Sequence, residues 1–540
     1  MKQTVKNILF QVVSAYSGGV DFDILIPPSP EMGDYSTNIA FKIGGKPMVT
    51  AEEIKSKLEK DPELQKMCRH ISIIVPGFIN FYLSDQFLKE SLGDMLGGKD
   101  KLGNGSGNGK KINIEFISAN PTGPLTVGNA RAASYGDTLA NILKEAGCAV
   151  TKEYYLNDAG VQVNKLGLSV AKRYLQLQGK DVGFEEGLYQ GEYVKEIAKS
   201  LEMEIESKNL DANIEALADF CRDKAVEMMV KKAKETTKKI GIEFDVWFKE
   251  SELYASGEVD LALERLENAG VIEKKDGAVW LKYGDGQEAV LVKNDGNKTY
   301  LMGDIAYTLN KLEKRKFDKA INIWGTDHHG DVPRLLAAIE TLGHKDELEI
   351  ILHQLVMLKQ KDERLKISKR AGNLVLLDDL INDVDKDAVR FFFLSKDLNT
   401  HMEFDVDLAR EQSKKNPVFY IQYAFARLSS IFEKLKTQSQ SLEFNKENLS
   451  LLEKKEELVL MHTMAKFPDV IENIAKTYQV HHLATYTVDL ATQFHQFYEK
   501  HKVIQDDSDL QNARAVLSQG VYNLLKNCLD LMGLSTPEKM

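Results

Sequence analysis

Ile114-Glu-Phe-Ile-Ser-Ala-Asn-Pro-Thr-Gly-Pro-Leu-Thr-Val-Gly-Asn-Ala-Arg131 is the stretch on which the fold turns. Ile112, Ile114 and Phe116 alternate as in a buried strand, while Leu139, Ile142, Leu143 and Ala146 recur at helical spacing until Gly147 ends the run. Between them lies a turn rich in Pro and Gly. A helix that starts near Gly128 and Asn129 aims unpaired N–H groups and its positive dipole end at whatever lies above the strand, and phosphate is the usual occupant. Taken alone, such a turn more often only connects two elements. A second segment, Leu365-Lys-Ile-Ser-Lys-Arg-Ala-Gly-Asn373, places three cations and a hydroxyl on a Gly-bounded loop. Basic loops are commonly solvated turns. Paired with a phosphate-ready helix start, this one is suited to clamp the far phosphates of the same nucleotide, because Lys ammonium groups are mobile point charges.

Outward from these two segments the chain divides. The Gly/Asn/Ser tract Leu102-Gly-Asn-Gly-Ser-Gly-Asn-Gly-Lys110 has little reason to fold and marks a boundary, which makes residues 1–105 a separate module. Within that module Ile71-Ser-Ile-Ile-Val-Pro-Gly-Phe-Ile-Asn-Phe-Tyr82 is strand-like. From 111 to 380 strands and helices alternate, as in a doubly wound parallel sheet that binds nucleotide at its carboxyl edge. A Lys/Glu/Ala-rich stretch near 165–235, with Leu210, Ile214, Leu217 and Cys221 at helical spacing, is expected to be a helical insertion. From 385 to 540 the pattern is almost wholly helical and predicts a separate bundle.

Composition fits a large globular enzyme. With 540 residues, 43% hydrophobic and 28% charged, the chain can bury several cores. No apolar run approaches the roughly twenty residues that span a bilayer, and Met-Lys-Gln-Thr-Val-Lys at the start lacks a signal-peptide core, so a cytoplasmic protein without a membrane partner is expected. Cys68, Cys148, Cys221 and Cys528 are too scattered for a Cys-x-x-Cys zinc site or a disulfide framework, and no zinc is expected. A formal charge of −11 argues against general polyanion affinity and for localised basic patches.

Thr126-Val-Gly-Asn129 and Lys366-Ile-Ser-Lys-Arg370 resemble the two signatures of class I aminoacyl-tRNA synthetases. The segments around them, Tyr154-Tyr-Leu-Asn-Asp-Ala-Gly160, Phe244-Asp-Val-Trp-Phe248, Thr299-Tyr-Leu-Met-Gly-Asp-Ile-Ala-Tyr307, Gly325-Thr-Asp-His-His-Gly-Asp-Val-Pro-Arg334, Asp387-Ala-Val-Arg390 and Asn416-Pro-Val-Phe-Tyr-Ile-Gln-Tyr-Ala424, are similar in order and spacing to those of arginyl-tRNA synthetases. The resemblance covers nearly the whole chain. It implies an α/β Rossmann-type catalytic core with a helical insertion, an α+β N-terminal domain and an all-α anticodon-binding bundle. It also implies ligation of arginine to tRNA(Arg) with ATP as substrate and Mg²⁺ accompanying the ATP, no protein-bound catalytic metal, and, as a default, a monomer.

Carried over residue by residue, the resemblance implies a nucleotide site at Pro121, Gly123, Thr126, Gly128, Asn129, Gly325, Asp327, Lys366 and Lys369. Thr126, Gly128, Asn129, Lys366, Ser368 and Lys369 would act on the reacting phosphates. An arginine pocket is implied at Glu115, Ser118, Asn120, Asp158, Gln162, Tyr300, Asp304 and His328. Phe78, Asn80, Tyr423, Tyr498 and Met540 would meet tRNA, the first two at its elbow and the others at the anticodon loop. Chemistry supports the pocket: a guanidinium has five donors and keeps its proton, so it needs a carboxylate fork, which Asp304 can supply. Adjacent His328 and His329 diverge too far to share one metal, and His328 is the better binding candidate.

Where the family usually has two histidines this chain has Thr126 and Asn129. Imidazole is needed there as a donor, and both a Thr hydroxyl and an Asn amide can donate; the tryptophanyl branch of class I has a similar Thr-x-Gly-Asn. An active enzyme is therefore expected. Two rival readings are a different class I synthetase (glutaminyl, glutamyl or cysteinyl), and a synthetase-like RNA-binding protein without catalysis.

Overall fold

The structure, a computed structural model, describes residues 5–27, 30–96, 107–361, 363–365, 375–437 and 447–540. The chain divides into two compact units. Gly109–Lys144 with Cys148–Glu411 form one; Met1–Asn108, Glu145–Gly147 and Gln412–Met540 form the other.

In the first of these units a five-stranded sheet carries the core. Its spatial order is Leu348–His353, Lys319–Gly325, Lys111–Glu115, Ala149–Leu156, Val246–Lys249, and each neighbouring pair is parallel. Lys111–Glu115 comes first in the chain yet lies in the middle, so crossovers leave it in both directions. Its carboxyl end is the switch point where a doubly wound sheet opens a crevice. Ile112 and Ile114 are buried, and Phe116 packs on the helix Val127–Glu145 at Gly136, where a Cβ would come 2.3 Å from the Phe116 ring. Gly136 is therefore the residue that lets strand and helix close together.

Two additions interrupt the sheet. Val161–Leu177, Glu192–Ser200, Glu202–Ser207 and Ile214–Lys239 form the expected helical insertion, with its own core of Leu166, Val170, Tyr174, Ile197, Leu217 and Cys221. The second addition is a three-stranded antiparallel sheet, Ile272–Lys275, Ala278–Tyr283 and Gln287–Val292, which the sequence pattern did not single out.

The other unit joins two parts expected to be separate. A four-stranded antiparallel sheet, ordered Ile24–Leu25, Tyr35–Thr37, Phe78–Leu83, Cys68–Ile74, belongs with the helices Pro417–Thr437, Lys455–Ala465, Phe467–Thr477, His481–Lys500 and Ser508–Met532. Tyr35, fully buried, donates its hydroxyl to Asp469, His462 Nδ1 lies 2.8 Å from Asp34, and the Asn7 amide donates to Glu472 at 3.0 Å. The linker tract at 102–106 lies outside the described residues.

The bundle was expected from residue 385, but the helix Lys386–Leu394 and the strand Met402–Asp405 belong to the unit with the parallel sheet. Buried Arg390 donates to Asp137 at 2.6 Å, and Met402–Asp405 pairs in parallel with Val356–Gln360. A 3.6-residue period shows that a helix has an apolar face but not which core that face covers.

Candidate active site

Beyond Glu115 the chain turns sharply. Ile117 and Ser118 have φ of 67° and 38°, which costs a β-branched or ordinary residue on the order of 1–3 kcal/mol and is commonest at functional sites. Side chains from elsewhere in the unit hold the turn in place. Ser118 Oγ accepts from the Tyr155 N–H at 3.1 Å, the Tyr154 hydroxyl donates to the Ala119 carbonyl at 2.9 Å, and the Asn120 amide donates to Gln162 Oε1 at 2.9 Å.

At the helix start Asn129 Oδ1 accepts both the Thr126 N–H, at 2.9 Å, and the Thr126 hydroxyl, at 3.1 Å. This is the back-reaching half of a capping box. It orients the Asn129 amide with its NH2 directed away from Thr126. The expectation that both side chains offer donors is corrected: the Thr126 hydroxyl proton is used within the cap, and Asn129 carries the donors. Gly128 is exposed, and among the described residues a Cβ there would meet only Thr126 Oγ1, at 3.6 Å. Packing among the described residues does not demand a glycine at that point. Val127 N–H donates to the Val375 carbonyl at 3.1 Å and Leu377 N–H to the Leu125 carbonyl at 3.0 Å, so the chain that leaves the basic loop is bonded to the helix start. Lys366, Ser368, Lys369 and Arg370 themselves lie outside the described residues.

The same sheet edge carries a cluster of carboxylates. Glu115 is 4% exposed and pairs at 2.7 Å with buried Lys311, which also donates to Asn322 at 2.9 Å. Asp304 follows Tyr300 by one helical turn in Tyr300–Leu309 and keeps partial solvent access. Its enclosure by protein, then the charges of Glu115, Glu250 and Asp331, push its carboxyl well above the usual carboxylate range, with Lys311 opposing. Glu250 is 5% exposed; burial, then the charge of Asp158, raises it to about 7 against a hydrogen bond from Tyr155. Buried carboxylates in excess of their cation are unstable as anions, and a cationic ligand relieves them. Glu250, Tyr155 and Lys311 were not singled out from the sequence. Glu250 follows the quoted Phe244–Phe248 segment by two residues, but only the fold brings it to Asp304.

Other expected pocket residues take different positions. Asp158 accepts from the Ser251 N–H at 3.0 Å and hydroxyl at 2.8 Å, so it holds the first turn of Glu250–Ala255 and shapes the pocket through Glu250. Tyr300 is 61% exposed at the rim. Gly325 ends its strand where a Cβ would lie 2.4 Å from Asp327 Oδ1. Exposed His328 has its ring 5.8 Å from that of Trp324 and Nδ1 3.6 Å from Asp331, whereas His329 Nδ1 lies 3.1 Å from the Thr326 carbonyl and serves the local turn.

In the other unit Phe78 is half-buried, 4.9 Å from Phe41. Asn80 corrects the expectation of a base-reading amide: it is 2% exposed, its Oδ1 accepts from Ser36 at 2.6 Å and its amide donates to the Met32 carbonyl at 2.5 Å. Tyr423 and Tyr498 are half-buried, not core, and Arg427, missed in the sequence, lies 4.7 Å from each ring. Met540 is exposed.

Three family models match the chain: "Arginyl tRNA synthetase N terminal domain" over residues 1–83, "tRNA synthetases class I (R), catalytic domain" over 91–407, and "DALR anticodon binding domain" over 421–540. An arginine–tRNA ligase of Thermotoga petrophila is 42% identical over 99% of each chain. The chain belongs to the arginyl-tRNA synthetase family. A Geobacillus kaustophilus arginine–tRNA ligase is 41% identical over 95% of this chain and 94% of its own. The arginyl-tRNA synthetase of Thermus thermophilus superposes with a TM-score of 0.80 over 99% of this chain and all of that one, at 19% identity, a likeness of fold. The N-terminal-domain model falls on the antiparallel sheet and the DALR model on the helices, the two parts that share one unit.

Proposed function

We propose that this protein ligates L-arginine to tRNA(Arg), with ATP converted to AMP and pyrophosphate through an arginyl adenylate. The observation that carries the reading is the cluster Asp304, Glu250 and Glu115, balanced only in part by Lys311, at the sheet edge that also holds the capped helix start. Asp304 and Glu250 grip the guanidinium. Tyr300 closes the rim, and Ser118, Asn120 and Gln162 hold the backbone end of the amino acid. Pro121, Gly123, Gly128, Asn129, Gly325 and Asp327 line the nucleotide, with His328 beside both substrates.

In the first step the arginine carboxylate attacks the α-phosphorus and the bond to pyrophosphate breaks. Charge builds on the leaving oxygens, where the Asn129 amide and the Ser368 hydroxyl donate and Lys366 and Lys369 neutralise. ATP would carry Mg²⁺ on its phosphate oxygens, where the ion would offset their charge. In the second step a ribose hydroxyl of the tRNA 3′ end, the 2′-hydroxyl in this class, attacks the arginyl carbonyl and AMP leaves. Neither displacement requires a strong protein base. Phe78 meets the tRNA elbow, and Tyr423, Tyr498 and Met540, with Arg427, meet the anticodon loop, since unpaired bases stack on aromatic and guanidinium planes. A monomeric cytoplasmic enzyme that activates arginine only with tRNA bound completes the reading.

The loss of both signature histidines favours one alternative, an RNA-binding protein without catalysis. ATP–pyrophosphate exchange separates the two. Exchange that depends on arginine and on tRNA supports the ligase; no exchange under either condition supports the silent binder, and exchange driven by another amino acid indicates a different synthetase.

A further inference from the structure

Tyr193 belongs to the helical insertion, yet its phenol ends on the turn that opens the nucleotide site. The hydroxyl donates to the Thr122 carbonyl at 2.7 Å. A Cβ built on Gly123 would lie 3.2 Å from that same hydroxyl oxygen and 3.4 Å from the ring carbon that bears it. Gly123 is thus small because Tyr193 is there. At its base the residue is equally fixed: it stands in the helix Glu192–Ser200, whose Val194, Ile197 and Ala198 are buried in the insertion core, and its ring packs on that core.

Among the described residues the turn makes few backbone hydrogen bonds of its own. Pro121 and Pro124 remove two backbone donors, and the Thr122 N–H closes onto the Asn120 carbonyl at 2.7 Å. An outside donor on Thr122 therefore decides where Gly123 lies as the chain runs on to the Thr126–Asn129 cap. We propose that Tyr193 is a positioning residue for ATP, its hydroxyl locking the Thr122–Gly123 turn so that the insertion sets the geometry of the nucleotide subsite. This rests on the nucleotide site proposed above. Asp304 and Glu250 stand on other elements, Tyr300–Leu309 and Glu250–Ala255, and Glu115, Ser118 and Asn120, upstream on the same segment, are held by Lys311, Tyr155 and Gln162, so the effect is selective.

The test is tRNA charging by full-length wild type, Tyr193→Phe, Gly123→Ala and the double variant, with ATP and arginine varied separately and the melting temperature of each recorded. Tyr193→Phe is expected to raise the ATP KM roughly three- to tenfold, the loss of one neutral hydrogen bond, with arginine KM and melting temperature unchanged. Gly123→Ala, which pushes on the same hydroxyl, is expected to produce a similar defect, and the double variant no more than the worse single one, because both break one contact. The role is overturned by a Tyr193→Phe enzyme with wild-type ATP kinetics. Defects that multiply, or an equal loss for both substrates together with a lowered melting temperature, also overturn it. A wild type that charges no tRNA overturns the proposed reaction and this role with it.

Discussion

Enclosure and neighbouring carboxylates raise Asp304 above the usual carboxylate range and Glu250 to about 7, and that sets how the proposed arginine pocket should respond to mutation and pH. Asp304→Asn keeps the shape but removes a charge-assisted bond, a loss of about 1.5–3 kcal/mol, or roughly ten- to a hundredfold in arginine KM or kcat/KM. ATP KM is expected to stay put, and unchanged arginine kinetics would remove Asp304 from the pocket. Guanidinium keeps its charge at every usable pH, so arginine binds the ionised pocket. Glu250, raised to about 7 in the free protein, must lose its proton as arginine enters. Arginine affinity is therefore expected to rise as pH climbs through about 7 and to fall up to about tenfold per unit below it for this group. The stability linked to Glu250 in the free protein runs the other way: it is full below the ordinary Glu range near 4.3 and is lost as pH rises through about 7. Isothermal titration across pH 5.5–8.5 on the order of half-unit steps checks the first trend; Glu250→Gln should flatten it, and a steep profile that survives in Glu250→Gln would assign the proton elsewhere.

At the scale of the element, the helix Val127–Glu145 begins with an asymmetric cap. Because the Thr126 hydroxyl donates to Asn129, the two residues are not equivalent. Asn129→Ala is expected to cost about 2–4 kcal/mol of transition-state stabilisation, as for one preorganised oxyanion donor, and Thr126→Ala about 1 kcal/mol, as for one internal hydrogen bond. Single-turnover adenylate formation measures both, and equal losses would mean that Thr126 also donates to the nucleotide. The strand, turn and helix that carry this cap were legible in the sequence, since period-2 and period-3.6 patterns meet at a Pro/Gly turn. Much of what stabilises them was not. Glu250 and Lys311 are ordinary charges in local sequence, and only the parallel order of the sheet brings them to Glu115 and Asp304. Asn80 was expected at the tRNA elbow from the family resemblance alone; pairing of Phe78–Leu83 with Tyr35–Thr37 turns it inward to Ser36. Nothing local to Arg390 announces its buried partner Asp137, more than 250 positions away.

For the whole molecule, the N-terminal sheet and the C-terminal helices share one unit, and buried polar bonds join them. Tyr35→Phe removes a hydroxyl from the Asp469 carboxylate, a loss of roughly 1.5–3 kcal/mol in urea unfolding, while arginine and ATP KM stay constant. Stability unchanged by Tyr35→Phe would show that the contact contributes little. Removing residues 1–109 is accordingly expected to destabilise the helices as well as weaken tRNA binding, contrary to what the Gly-rich tract at 102–110 suggests by itself. A pocket with surplus carboxylates and a cap without histidines is expected to make an active, arginine-selective ligase. The most direct test is charging of tRNA(Arg) by the full-length protein with ATP, Mg²⁺ and labelled arginine, beside labelled citrulline as a neutral isostere. Arginyl-tRNA formed from arginine with no detectable product from citrulline is the expected result. No product from either, or comparable charging of both, would contradict the account.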